Sequence, residues 1–216
     1  LKITHYLFSN TLSFDNIAVQ SSKDITITVM KNVGFFLLIA VFGLACGDDD
    51  DAPPVVNPIE FSESINSGGA AFTFDGTDWL ADKGNDASDT FENIVDIEGT
   101  ENDGLYQTEV FDMTGFTYEV AVPAEGPWEV KLHFAEIFHG VENANGVGAR
   151  VFSVDIEGQA SLTDYDIIDQ AGAAATAVVE TFPGISVMDG NLTITFTTVT
   201  DAAKVNGIEV SGTYIP

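Results

Sequence analysis

Pro127-Trp-Glu-Val-Lys-Leu-His-Phe-Ala135 is the stretch that decides the fold class. Trp128, Val130, Leu132 and Phe134 alternate there with Glu129, Lys131 and His133. Successive side chains of a strand point to opposite faces, so this pattern predicts a strand with one buried and one wet face. Asn191-Leu-Thr-Ile-Thr-Phe-Thr-Thr198 repeats the period, with Leu192, Ile194 and Phe196 on the apolar side. Phe116 to Val122, Val151 to Ile156 and Gly207 to Gly212 read as further strands. Glu125-Gly126-Pro127, Glu157-Gly158-Gln159 and Met188-Asp189-Gly190 supply turn signals between them. No segment is a convincing amphipathic helix, and Ala171 to Ala177 reads as a loop or a single turn. The expectation is an all-β fold: one antiparallel β-sandwich domain, jelly-roll-like, over residues 59 to 216. Residues 76 to 104 and 139 to 148 read as long irregular loops, where a rigid sandwich carries its binding residues.

Working outward from the domain, the chain changes character toward its start. Val33 to Ala45 is a run of 13 uncharged, largely apolar residues behind Lys31. A membrane-spanning helix needs about 20. The shorter run fits the apolar core of an export signal, so residues 30 to 45 are expected to be a signal peptide. Cys46 is the only cysteine and cannot form an internal disulfide. Gly43-Leu44-Ala45-Cys46 resembles a bacterial lipobox, which implies a lipid on Cys46 and a membrane anchor. Asp48 to Asp51 repel one another, and Pro53 and Pro54 favour extended chain. Residues 46 to 58 are therefore expected to be a tether. Its acidic cluster serves as a soluble spacer or, by its resemblance to the surface-export signals of some Gram-negative lipoproteins, as such a signal. Residues 1 to 29 read as an extension from a start site set too far upstream of Met30. The destination is then the cell envelope, with the lipid anchor expected in the bacterial outer membrane.

Charge narrows the partners. The chain carries 34 acidic and 7 basic residues, a net charge of -27. Phosphate contacts need clustered Lys and Arg, so nucleic acid is excluded as a partner. Neutral ligands such as sugars, or cations, remain compatible. An apolar fraction of 45% is ample for a core.

Motifs for catalysis are few. There is no G-x-S-x-G elbow, phosphate-binding glycine loop or C-x-x-C pair. His133-x-x-Glu136-x-x-His139 has the residue types of a metal site. On a strand, however, Glu136 points away from both histidines, which lie about 20 Å apart. No metal and no cofactor is expected. Paired carboxylates could serve a glycosidase, but so acidic a chain offers many such pairs by composition alone. Tyr106 and Phe138 are aromatic faces bordered by polar residues, a combination suited to the apolar face of a sugar ring.

Several motifs, taken together, are similar to one family. Ile65-Asn-Ser-Gly-Gly69, Leu105-Tyr-Gln-Thr-Glu109, Phe134-Ala-Glu-Ile-Phe138, Val151-Phe-Ser-Val-Asp155 and Asp164-Tyr-Asp-Ile-Ile-Asp169 occur in the order and spacing of malectin domains. Asp201 to Val210 resembles that family's last strand, so the similarity spans about residues 61 to 213. It implies a β-sandwich of the malectin and galactose-binding kind that binds glucose-containing oligosaccharides or polysaccharides without hydrolysing them. It implies that Tyr106 stacks on the sugar, that Phe138 is a second aromatic contact and that Asp201 accepts hydroxyl hydrogen bonds. His139 stands where the family has phenylalanine, and Thr90 where it has a tyrosine. Asn66, Gly68 and Gly69 serve either a contact or backbone geometry. A protein-binding adhesion or scaffolding module is the alternative reading, and a small glycosidase or esterase a third.

Overall fold

A computed structural model describes residues 56 to 216. The expectations for residues 1 to 29, for the signal at 30 to 45, for Cys46 and for most of the tether lie outside the described residues. In chain order the elements are β1 (Ile59–Asn66), β2 (Phe72–Phe74), β3 (Thr77–Ala81), β4 (Asp89–Glu92), α1 (Asp103–Tyr106), β5 (Thr108–Asp112), β6 (Phe116–Ala121) and β7 (Gly126–Phe134). Then follow β8 (Val151–Ile156), β9 (Ala160–Tyr165), α2 (Ile167–Ala171), β10 (Val178–Val187), β11 (Asn191–Thr200), β12 (Ala203–Val205) and β13 (Gly207–Tyr214).

The alternating segments become the middle of the sandwich. One sheet runs β10-β7-β13-β1-β3-β2 and the other β6-β11-β8-β9. Neighbours pair antiparallel throughout, except that β1 and β3 are parallel. Trp128, Val130, Leu132 and Phe134 of β7 are fully buried against Leu192, Ile194 and Phe196 of β11 and Phe152, Val154 and Ile156 of β8. Phe116 and Phe196 stack with ring centres 4.5 Å apart. Each such large side chain contributes roughly 1.5–3 kcal/mol by leaving water.

Two local features were not anticipated. Residues 76 to 104, read as irregular, contain β3 and β4. Asp75-Gly76 joins β2 to β3 as a two-residue hairpin, both residues having positive φ (46° and 80°). That is the primed turn whose twist matches a hairpin, and Gly76 adopts it without steric cost. The expected turn at 171 to 177 is preceded by the short helix α2. Asp166 caps its start, accepting from the amides of Ile168 (2.9 Å) and Asp169 (3.1 Å), and Gly172 ends it in the left-handed region. At the sheet margin, β10 shifts register between Phe182 and Ile185, at Pro183-Gly184. Among the described residues no helix is long and apolar enough to cross a membrane.

A third small sheet, β12-β5-β4, lies beside the sandwich and sets the position of the candidate site.

Candidate functional site

The register of the small sheet selects which side chains share a face. Phe91 of β4 stands opposite Glu109 of β5, Asp89 opposite Phe111, and Lys204 of β12 opposite Phe111 on the other side. Residues two apart on a strand share a face, so Glu109 and Phe111 point the same way. Phe91, Phe111, Met113 and Phe138 form apolar walls of a hollow of about 240 Å³, with Arg150 and Asp201 completing it. Phe138 meets Phe91 edge to face, ring centres 5.6 Å apart at 89°. Asn93, just after β4, donates to the Ile137 carbonyl (2.9 Å) and the Glu142 carboxylate (2.8 Å), which holds the loop of Phe138 against β4.

The polar wall is a ring of hydrogen bonds closed by one longer ion pair. Glu136 is buried after β7, and its Oε1 accepts the backbone N–H groups of Phe138 and His139, both at 3.0 Å. Its Oε2 accepts from Arg150 Nε at 2.7 Å. Arg150 Nη2 lies 3.6 Å from Asp201 Oδ2, and His139 Nε2 lies 3.0 Å from the same oxygen. A carboxylate only accepts, so Nε2 of His139 carries the proton and Nδ1 accepts from the amides of Asn143 and Asn145 (both 3.3 Å). Asp201 sits in the turn between β11 and β12 at φ 64°, a conformation that aspartate reaches more readily than most residues.

Beneath the hollow lies a second ion pair. Lys204 is wholly buried, and its Nζ donates to the Glu109 carboxylate and the Ala135 carbonyl. Burial pushes the Glu109 carboxyl up and the Lys204 ammonium down, and each partner's charge opposes the shift in the other. Glu136 is also penalised by burial, but the charges of Lys204 and Arg150 and the bonds to its oxygens outweigh this and hold it below its ordinary value. Two cations thus face the three carboxylates Glu109, Glu136 and Asp201. This surplus of negative charge disfavours an anionic ligand and suits hydroxyl donors. Asp201 can accept from them, and Arg150 has more N–H groups than its protein partners use.

The residues singled out in the sequence divide between this hollow and the rest of the fold. The structure brings Phe138, His139 and Asp201 together. Tyr106, expected to stack on a sugar, is buried and does not line the hollow; its hydroxyl is bonded to His133 (2.9 Å). Burial and the nearby Glu209 charge push that hydroxyl up to about 12. The physical reason is local: Tyr106 ends α1, before β5 begins, so it does not share the strand face of Phe111. Thr90 is exposed on β4, and its neighbour Phe91 lines the hollow instead. Asn66 is consumed by the fold, donating to the Ala70 carbonyl (2.8 Å) and accepting from Thr108 (3.0 Å). Gly68 has φ 72°, and a Cβ there would lie 2.3 Å from the Glu109 carbonyl oxygen. A Cβ on Gly69 would lie 2.1 Å from the Asn66 amide nitrogen, so backbone geometry accounts for both glycines. His133, Glu136 and His139 bond to Glu209, Arg150 and Asp201 respectively and do not converge.

Asp112 closes the far end of β5. It accepts from the Ser88 hydroxyl (2.6 Å) and the Thr114 hydroxyl (2.7 Å), which hold its carboxyl well below the usual range. A depressed carboxylate stabilises the fold above the unfolded value, about pH 3.9, and that contribution is lost as pH falls through the lower folded value. The melting temperature should therefore fall on acidification below about pH 4, and Asp112→Asn should remove part of that slope. A variant with the wild-type acid slope in circular-dichroism melts would contradict this.

Comparison with known proteins bears on the same segment. A family model described as Malectin domain matches residues 61–214. Malectin-B of Xenopus laevis is 31% identical over 114 residues, covering 53% of this chain and 39% of its own length. Malectin of Homo sapiens is 34% identical over 90 residues, covering 42% and 28%. An LRR receptor-like serine/threonine-protein kinase of Arabidopsis thaliana is 33% identical over 103 residues, covering 47% of this chain and 10% of the kinase. The chain thus spans well under half the length of these curated relatives. Among solved structures, the ANXUR1 extracellular domain from Arabidopsis thaliana superposes with a TM-score of 0.59 at 16% identity, over 70% of this chain and 48% of that one. A Bacteroides uniformis beta-glucuronidase has a TM-score of 0.59 at 21% identity, over 69% and 18%. These two show a shared fold.

Proposed function

The chain belongs to the malectin domain family, and from that premise we propose that it binds a neutral oligosaccharide or polysaccharide, glucose-containing or related, in the hollow between β4, β5 and the loop after β7, without cleaving it. The observation that carries this reading is the pairing of aromatic walls with the ring through His139, Asp201, Arg150 and Glu136. Phe91, Phe111 and Phe138 offer apolar faces to a pyranose, and Asp201 and Arg150 take its hydroxyls. Tyr106 has no part in this contact, and Phe111 takes the place expected for it. Glycoside cleavage needs one carboxyl free to give a proton and another free to attack or activate water. Glu109 and Glu136 are each committed to a buried cation, which supports binding alone. We further propose that a lipid on Cys46 and the acidic tether behind it hold the domain at a cell envelope.

The test is a glycan array followed by calorimetry on the full chain. Few rigid contacts offset desolvation in so shallow a site, so affinity should be modest. Phe111→Ala should weaken binding by at least about tenfold, and Tyr106→Phe should leave it unchanged. No binding across a broad panel of glycans would sink the proposal.

A further inference from the structure

A second recess of about 240 Å³ shares no lining residue with the hollow. At its base runs a chain of three polar side chains. The Tyr106 hydroxyl meets His133 Nδ1 at 2.9 Å, and His133 Nε2 meets Glu209 Oε1 at 2.8 Å. Since the carboxylate can only accept, Nε2 carries the proton and the Tyr106 hydroxyl donates to Nδ1. Both ring nitrogens of His133 are thereby used. The other oxygen of Glu209 has no hydrogen-bond partner among the described residues. The bond from His133 holds the Glu209 carboxyl below its ordinary range.

Two aromatic rings, Phe74 and Trp79, line the recess together with this carboxylate. Trp79 of β3 packs against the His133 ring at 5.4 Å and 87°. Phe74, beside the Asp75-Gly76 turn, is 37% exposed where the recess opens. Asp75 contributes a second carboxylate, and no Lys or Arg lines the recess. A larger open hollow shares Phe74, Thr100 and Asn102 with it and adds Asp96, Glu98, Glu101 and Asp103, again without a cation. Lys131 stands opposite Glu209 on β7, but its ammonium lies 3.9 Å from Glu129 and outside the recess.

Buried polar groups are costly unless bonded, and those of Tyr106 and His133 are bonded here. Within the Tyr106–His133–Glu209 chain the free acceptor is the second oxygen of Glu209, in a recess lined by aromatic rings. An ammonium ion donates to a carboxylate and is attracted to an aromatic face, and the surrounding negative potential draws it in. We propose that this recess is a second binding site, for a protonated amine of the kind carried by amino sugars and by lysine side chains. This goes beyond the glycan reading of the first hollow and does not rest on it.

The full chain, 15N-labelled at its tryptophans, is titrated with glucosamine, glucose and lysine methyl ester while the Trp79 indole resonance is followed. Glucosamine should shift it with saturation and glucose should not. A response to lysine methyl ester as well assigns recognition to the ammonium group itself; a response to glucosamine alone assigns it to an amino sugar. Glu209→Gln keeps an acceptor for His133 but removes the charge, and should weaken amine binding by at least about tenfold without altering glycan binding in the first hollow. Phe74→Ala, on the open rim, should weaken it too and serves should Glu209→Gln fail to fold. The proposal is overturned if glucose acts as strongly as glucosamine, if both amines are silent, or if the folded variants bind as wild type.

Discussion

Lys204→Ala is expected to cost about 3–5 kcal/mol of stability. The ammonium is fully buried between the Glu109 carboxylate and the Ala135 carbonyl, so truncation leaves a carboxylate stranded without a counter-ion. The cost lies in that stranded charge more than in the lost attraction. The double variant Lys204→Met with Glu109→Leu should recover most of it, because apolar groups of similar volume carry no desolvation penalty. Urea midpoints for the two single variants and the double variant measure the coupling. A loss below about 1 kcal/mol in Lys204→Ala would show that the pair contributes like an exposed one.

Glu136→Gln should have the largest effect on the proposed glycan site without touching the ligand. One carboxylate oxygen holds the amides of Phe138 and His139, and the other holds Arg150, which faces Asp201. Glutamine can accept from the amides, but its own amide cannot serve the guanidinium with the second bond. Arg150 then has Asp201 as its remaining carboxylate, and both walls move. Glycan affinity should fall by about 100-fold, with stability lowered by roughly 2–4 kcal/mol. Calorimetry well below the variant's melting temperature separates the two effects. Wild-type affinity in a destabilised Glu136→Gln would confine the residue to a role in folding.

The sandwich was legible wherever a strand is half-buried with a polar partner at every second residue, as from Trp128 to Phe134. It was illegible where strands are short or exposed on both faces. Thr77–Ala81 buries only Trp79, and Asp89–Glu92 is exposed at three of four residues, so neither shows a period. The same limit governs the hollow. Phe138, His139 and Asp201 stood out by motif, but the choice between Tyr106 and Phe111 depends on where α1 stops and β5 begins. The Asp-Gly pair at 75 and 76 was a readable hairpin signal that points to β3. The buried charges could not be read, because Glu109 and Glu136 look like any of 34 acidic residues until Lys204 and Arg150 are seen beside them.

The register shift in β10 has a bearing on how the protein behaves in a crowd. β10 is the last strand on its side of the six-stranded sheet, and among the described residues no strand pairs with its outer row of amides and carbonyls. A straight strand there would offer a template to a second molecule. Pro183 lacks an N–H, and with Gly184 it breaks the regular spacing between Phe182 and Ile185. Two copies meeting margin to margin would find only short matching ladders on either side of the break. For a domain proposed to be tethered to a membrane, that interruption works against the polymerisation its own sheet would otherwise invite.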